Sequence, residues 1–142
     1  MAAYVKYEIF PENLVKGVYN FNNGGHTFKV CLTNTAPNVA THAVRADITE
    51  ISAGNGYTTG GNTTTMTVTN ASGTVTVSNA DPATWSAAGG NIGPFRYAVL
   101  YDDTPTSPAD PLVAYWDYGV SVTLVPGDTF KVDFGASLFT VA

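Results

Sequence analysis

Short runs of alternating apolar and polar residues, separated by turn-forming residues, dominate this sequence and restrict it to a β architecture. In the run at 26–33, Phe28, Val30 and Leu32 fall on one side, and this two-residue period is that of a half-buried strand. We predict eight strands, at 26–33, 46–51, 64–69, 73–78, 95–101, 112–118, 120–125 and 129–134. Many short strands at regular spacing predict an all-β fold, an antiparallel β-sandwich that is jelly-roll-like.

Two of these runs differ from the others. Residues 95–101 and 112–118 are rich in aromatic and β-branched residues on both faces, which is typical of central strands that are covered on both sides. Residues 64–69 and 73–78 are separated by Asn-Ala-Ser-Gly, and this link predicts a hairpin.

The start of the chain has a different pattern. Phe10, Leu14 and Val18 recur every four residues and predict one short N-terminal helix within 10–19. We therefore divide the chain into an N-terminal arm and short helix at 1–25 and a β-sandwich domain at 26–142. With 142 residues, the two parts form one globular domain overall.

Charged residues are scarce. They make up 12% of the chain, about half of the roughly 25% that is usual in soluble domains. The net charge is −5 and the six cations are scattered, so we expect no direct nucleic-acid binding and no attraction to an anionic membrane. The N-terminus has interspersed charges and no long apolar run, so we expect a soluble protein synthesised in a cytoplasm.

Residues that bind metals are few. Cys31 is the only cysteine, and neither His26 nor His42 has a partner at ligand spacing, so no metal site and no cofactor is predicted. Four aspartates surround a proline-rich loop, namely Asp102, Asp103, Asp110 and Asp117. They are compatible with calcium, but we favour a turn in which carboxylates accept local backbone N–H groups.

No catalytic motif is present. The sequence has neither a Gly-x-Ser-x-Gly elbow nor a His-Glu-x-x-His motif, and the glycine-rich run at 54–61 lacks the lysine of a phosphate-binding loop. Asp102 and Asp117 are a conceivable glycosidase pair, but eleven acidic residues will supply such a pair by chance. We predict that the protein is not an enzyme and has no catalytic residues.

Two sets of residues are candidates for contacts. Arg96 is the one guanidinium in an aromatic run, and we predict that it binds Asp117 or Asp102 bidentately, or else lies over aromatic faces at a strand edge. Tyr115 and Trp116 are candidates for an interface or for stacking on a glycan. For Trp116 we favour packing in the core over such a contact.

Six segments resemble a family of small all-β virion structural proteins of tailed bacteriophages. They read FKVCLTNTAP (28–37), GNGYTTGGN (54–62), ATWSAAGG (83–90), IGPFRYAVLYDDT (92–104), PLVAYWDYG (111–119) and GDTFKVDF (127–134). The resemblance covers nearly the whole chain and carries no catalytic residues. This chain departs from the family pattern in a longer loop at 104–111 and in 38–47.

The resemblance implies a structural protein located in the virion. We expect a capsid decoration, or cement, protein that forms homo-oligomers and contacts the major capsid protein or other virion proteins. Residues 1–10 are interpreted as an arm that drapes over a neighbour. A tail or fibre component with a receptor- or glycan-binding surface is the alternative. The many aromatic residues and few lysines agree with a protein that works through interfaces.

Overall fold

The computed structural model describes residues 3–132, 134 and 137–142, and this part of the chain is mostly β. Its strands are β1 (Ala3–Lys6), β2 (Phe28–Thr33), β3 (Asn62–Ala71), β4 (Thr74–Asp81), β5 (Thr84–Ser86), β6 (Ile92–Asp102), β7 (Leu112–Leu124), β8 (Thr129–Lys131) and β9 (Phe139–Val141). Seven antiparallel strands form one curled sheet in the order β1-β7-β6-β2-β3-β4-β9, and β5 pairs with β8. The predicted all-β, sandwich-like fold is confirmed.

The sheet changes direction along β3. Residues 62–64 of this strand pair with β2, residues 65–71 pair with β4, and the ladder shifts between Thr65 and Met66. Such an irregularity bends a strand and increases its twist, which allows one strand to serve two layers. The predicted hairpin of β3 and β4 forms, because Ser72 and Gly73 have the positive φ values, 52° and 85°, of a tight two-residue turn.

The predicted central strands occupy the middle of the sheet. β6 lies between β7 and β2, and β7 lies between β1 and β6. One face of these strands carries a large core that includes Trp85, Trp116 and Phe95. The opposite face carries a smaller core, covered by side chains from the connection at 34–61. This smaller core consists of Tyr7, Cys31, Val99, Tyr101 and Leu112, with Val39 and Ile48 packed against it.

One α-helix, α1 (Ile9–Val15), is present in the described residues; it is a short helix of seven residues, as predicted, and begins one residue before the predicted 10–19. It ends because Gly17 adopts a left-handed conformation with φ of 75°. The Val18 N–H then donates to the Asn13 carbonyl (3.0 Å) and the Gly17 N–H to the Leu14 carbonyl (3.2 Å). This is the usual way for a glycine to terminate a helix.

The N-terminal segment is not a separate arm where it is described. β1 pairs with β7 in antiparallel register, with Ala3 opposite Asp117 and Lys6 opposite Ala114. The ring of Phe10 in α1 packs 5.2 Å from that of Phe139 in β9. Residues 3–25 are thus integrated into the β domain, which corrects the division at residue 25, while Met1 and Ala2 lie outside the described residues.

The predicted strand at 46–51 is wrong. The chain instead makes a 3₁₀ turn at Arg45–Asp47, because the Asp47 carboxylate accepts the N–H groups of Ala43 (2.9 Å) and Val44 (3.2 Å). The runs at 112–118 and 120–125 form one strand, β7. The run at 129–134 is a strand only as far as Lys131, and Asp133 lies outside the described residues.

Candidate functional sites

Arg96 and Asp117 form a bidentate ion pair at an irregular part of the β6–β7 ladder. Phe95 pairs with Val122 and Tyr97 with Asp117, so residues 118–121 bulge opposite Arg96. The Arg96 Nε donates to Asp117 Oδ1 (2.7 Å) and its Nη2 to Oδ2 (3.0 Å). The structure thus brings Arg96 together with one of its two predicted partners.

Each partner of this pair changes the titration of the other. The hydrogen bonds from Arg96 hold the pKa of Asp117 below its usual range, and Asp117 raises the pKa of Arg96. The Gly119 N–H also donates to Asp117 Oδ1 (2.8 Å), and the Arg96 guanidinium lies 5.4 Å from the centre of the Tyr97 ring. The pair therefore stabilises the bulge at residues 118–121. About a third of each side chain stays exposed.

Replacing Arg96 by glutamine is expected to raise the pKa of Asp117 toward its ordinary range, since the main cause of the lowering is removed. NMR titration of the carboxyl carbons measures this directly. Asp47 is the matched control, because its pKa is lowered by the N–H groups of Ala43 and Val44 and not by an arginine. A shift of equal size at both carboxyls, or none at Asp117, would contradict the assignment.

The structure separates the two aromatic candidates. Trp116 is 7% exposed, and its ring stacks on Phe134 at 4.2 Å with Tyr4 edge-on at 5.4 Å. Its face is therefore not available to a glycan, and Trp116 packs in the core and does not form the candidate contact. Tyr115 is half-buried between Tyr7 (5.8 Å) and Tyr97 (5.9 Å), so only part of its ring reaches the surface.

Asp102 pairs with His26 and not with Arg96. The β2–β6 register places Phe28 opposite Asp102, so the end of β6 lies beside His26 and Thr27, the two residues that precede β2. Asp102 Oδ2 lies 2.6 Å from His26 Nδ1, and Oδ1 accepts the Thr104 N–H (3.1 Å). The carboxylate is fully buried, and this desolvation raises the pKa of Asp102 although both hydrogen bonds oppose the rise.

His26 also lines a pocket, which we call the His26 pocket. It is a half-open cavity of about 210 Å³ between residues 21–27 and residues 63–66 at the start of β3. The imidazole is 27% exposed, while its carboxylate partner is not exposed at all. No local pattern in the sequence marks this site, because His26 and Asp102 are separated by 76 positions and meet only through the β2–β6 register.

A second buried network holds the connection at 34–61 against the sheet. Glu50, 11% exposed, accepts hydrogen bonds from the Tyr57 hydroxyl and the Gly60 N–H through Oε2. Its Oε1 lies 3.3 Å from Arg45 Nη1. Tyr57 in turn accepts the Leu32 N–H of β2 (3.0 Å). These contacts join the connection to β2, and their role is structural.

The aspartates of the proline-rich loop make separate contacts. Asp103 lies 3.0 Å from Lys29, and Asp110 lies 3.4 Å from Arg45. Among the described residues no group of three or more His, Cys, Asp or Glu side chains is placed to hold a metal ion. Each of these carboxylates is instead occupied by a nearby cation or by backbone N–H groups.

One end of the sheet carries no charge. Residues 51–80 and 137–142, which include β3, most of β4 and all of β9, contain no Asp, Glu, Lys or Arg. β9 is the last strand of the sheet, and we call this strand and its free side the β9 edge. Val141 is 46% exposed and Val68 38% exposed. The opposite edge strand, β1, carries the exposed Lys6.

Comparison of the chain with models of known protein families, with curated proteins and with solved structures found no match. Within the described ranges, no helix has the length and apolarity needed to cross a bilayer. The fold and its sites therefore define the chain as an all-β, sandwich-like protein with a surface ion pair, a histidine-lined pocket and one uncharged sheet edge.

Proposed function

We propose that this protein is a bacteriophage virion structural protein, a capsid decoration (cement) protein that stabilises the head through protein–protein contacts. The observation that carries the proposal is the uncharged β9 edge. Proteins that remain monomeric usually protect a sheet edge by keeping it very short or with lysine, proline or a bulge, since a free edge pairs with other strands. β9 is short, three residues, but Phe139–Val141 contains no lysine, proline or bulge, and its neighbour β4 is uncharged over residues 74–79.

The distribution of charge supports the same role. Within the part of the chain that the structure describes, four of the six cations lie within 4.0 Å of a carboxylate, namely Lys16, Lys29, Arg45 and Arg96. Little positive charge is left to bind phosphates, so nucleic acid is a poor partner. Neutral Thr, Asn and Val side chains instead cost less to desolvate against another protein than charged side chains do. The resemblance to small virion proteins of tailed phages points in the same direction.

In this role the protein acts by mass action. A protein that binds only the assembled shell stabilises it in proportion to the occupancy and affinity of its sites. The partner is the major capsid protein, which adds a strand to β9 so that main-chain hydrogen bonds supply affinity and exposed valines supply apolar contact. No catalytic step is part of the proposal.

Val141→Lys is expected to reduce binding to undecorated capsids at least tenfold, because it places an unpaired charge on the β9 edge. Val125→Lys is the matched control, since Val125 has similar exposure (49% against 46%) but follows β7. Co-sedimentation of each purified variant with capsids measures the bound fraction. Equal binding of the two variants would overturn the β9 edge as the contact.

The copy number per particle tests the location. Quantitative mass spectrometry of purified virions is expected to give many copies for each vertex of the head. About a dozen copies or fewer, as in a ring of closed cyclic symmetry, would instead indicate the tail or fibre component. Self-association without capsid binding, seen by size-exclusion chromatography, would assign the β9 edge to contacts between copies of this chain and overturn the decoration role.

A further inference from the structure

The His26 pocket has the composition of a binding site for a neutral, hydroxylated ligand. Of the residues that line it, only His26 has a titratable side chain, and Asn22, Asn23, Thr63 and Thr65 supply amide and hydroxyl groups. No Lys, Arg, Asp or Glu side chain lines it, so a phosphate or carboxylate ligand would find no fixed countercharge there. A divalent cation would find no carboxylate oxygen at the surface of the pocket.

The buried carboxylate fixes the imidazole and leaves one ring nitrogen for a ligand. Because Asp102 holds Nδ1 of His26, the Nε2 atom is the nitrogen that remains, and no described residue bonds to it. When the imidazole is neutral, its Nδ1–H donates to the carboxylate and Nε2 accepts; when it is protonated, both nitrogens donate. A hydroxyl group can donate or accept, so it matches Nε2 in either state.

The site is held in place before any ligand binds. Asp102 is anchored by the Thr104 N–H, and the Thr27 N–H donates to the Thr104 side chain (2.8 Å), which ties the loop after β6 to the residue beside His26. A group that is fixed in advance loses little conformational entropy on binding, which favours affinity for a small ligand.

The size of the pocket limits the ligand further. Its volume of about 210 Å³ is below the roughly 300–1,000 Å³ of sites for drug-sized molecules. Phe21 and Met66 also line the pocket, but both are packed into the core, since they are 6% and 3% exposed and the Phe21 ring stacks on Phe28 at 4.5 Å. A ligand is therefore bound through polar groups, and a single pyranose ring is a small neutral molecule with a rim of hydroxyl groups.

We infer that the His26 pocket binds one neutral sugar residue, whose hydroxyl is held by Nε2 of His26 and whose other hydroxyls meet the amide and hydroxyl groups that line the pocket. The inference does not depend on the proposed role in the capsid. It differs from the glycan contact predicted at Tyr115 and Trp116, which lie on β7 and do not line this pocket.

The test uses the full chain and a panel of free glucose, galactose, mannose and N-acetylglucosamine. Titration followed by ¹H–¹⁵N NMR is expected to show millimolar binding of at least one sugar, with shift changes confined to residues 21–27 and 63–66. His26→Gln is expected to weaken the Kd at least tenfold. His42→Gln is the matched control, because His42 lies in the connection at 34–61 and does not line the pocket.

Asp102→Asn separates a binding role from a folding role. The amide keeps an oxygen for the Thr104 N–H but presents an N–H to His26 Nδ1, so Nε2 becomes a donor only. A folded Asp102→Asn protein with altered preference among the sugars supports the inference. Three results would overturn the inference. They are no binding of any of the four sugars, shift changes centred on Tyr115, and equal Kd values for the His26 and His42 variants.

Discussion

Gly61→Ala is expected to destabilise the fold by about 4 kcal/mol or more, an effect that few single substitutions reach. Gly61 lies immediately before β3 with φ of 79°, and an added Cβ would lie 1.8 Å from the carbonyl oxygen of Val30. That oxygen belongs to the backbone of β2, which pairs with β3 here through Val30 and Asn62. No side-chain rotation relieves such an overlap, so the two strands must separate.

The matched control is Gly73→Ala in the β3–β4 turn. Gly73 has nearly the same φ, 85°, but an added Cβ would meet nothing within 4 Å. This variant therefore carries only the cost of a left-handed alanine, about 1–2 kcal/mol. Urea unfolding followed by tryptophan fluorescence compares the two midpoints. If both variants unfold at the same urea concentration, the close approach of Gly61 to β2 is not a requirement of the fold.

The position of Gly61 explains why the substitution acts on more than one strand. It is the last residue of the connection at 34–61, and its neighbour Gly60 accepts a hydrogen bond from the Tyr101 hydroxyl (2.6 Å). Tyr101 belongs to β6 and is fully buried. The connection thus re-enters the sheet at a point where the backbone of β2, the start of β3 and the Tyr101 side chain of β6 meet, and only glycine leaves room for the approach to β2.

The strands that could be predicted are those in which periodicity and turn residues agree. The run at 26–33 and the β3–β4 hairpin have both signals, and both form. β1, β5 and β9 were missed, because strands of three or four residues are too short to show a two-residue period. These short strands form because a neighbouring strand presents backbone N–H and C=O groups for pairing, and that arrangement depends on the tertiary structure.

The predictability of the sites follows the same rule. The pairing of Arg96 with Asp117 could be predicted from the sequence, because one lone guanidinium in an aromatic strand has few possible partners. The pairing of His26 with Asp102 could not be predicted, since it depends on the register of β2 against β6. The strand predicted at 46–51 failed because the Asp47 side chain bonds its own backbone, a local interaction that apolar periodicity does not reveal.

The second large effect on stability is expected when the hydrogen-bond network around Glu50 is disrupted. Glu50→Ala is expected to lower the free energy of unfolding by about 3 kcal/mol, since it leaves the Tyr57 hydroxyl and the Gly60 N–H without their acceptor and removes a countercharge from Arg45. Glu50→Gln keeps one acceptor oxygen and should lose less. Glu12→Ala is the control, because the Glu12–Lys16 pair is more than half exposed and such pairs contribute about 0.5 kcal/mol or less.

The same variants should differ in the accessibility of Cys31. This thiol is fully buried under the connection at 34–61, and burial raises its pKa, so it reacts only when the structure opens. A loss of 3 kcal/mol from the contacts that hold the connection closed corresponds to about a hundredfold more opening. Labelling by a thiol reagent under native conditions should therefore be about a hundredfold faster in Glu50→Ala and unchanged in Glu12→Ala. Equal labelling rates would mean that Val39 and Ile48, and not the ion network, hold the connection against the sheet.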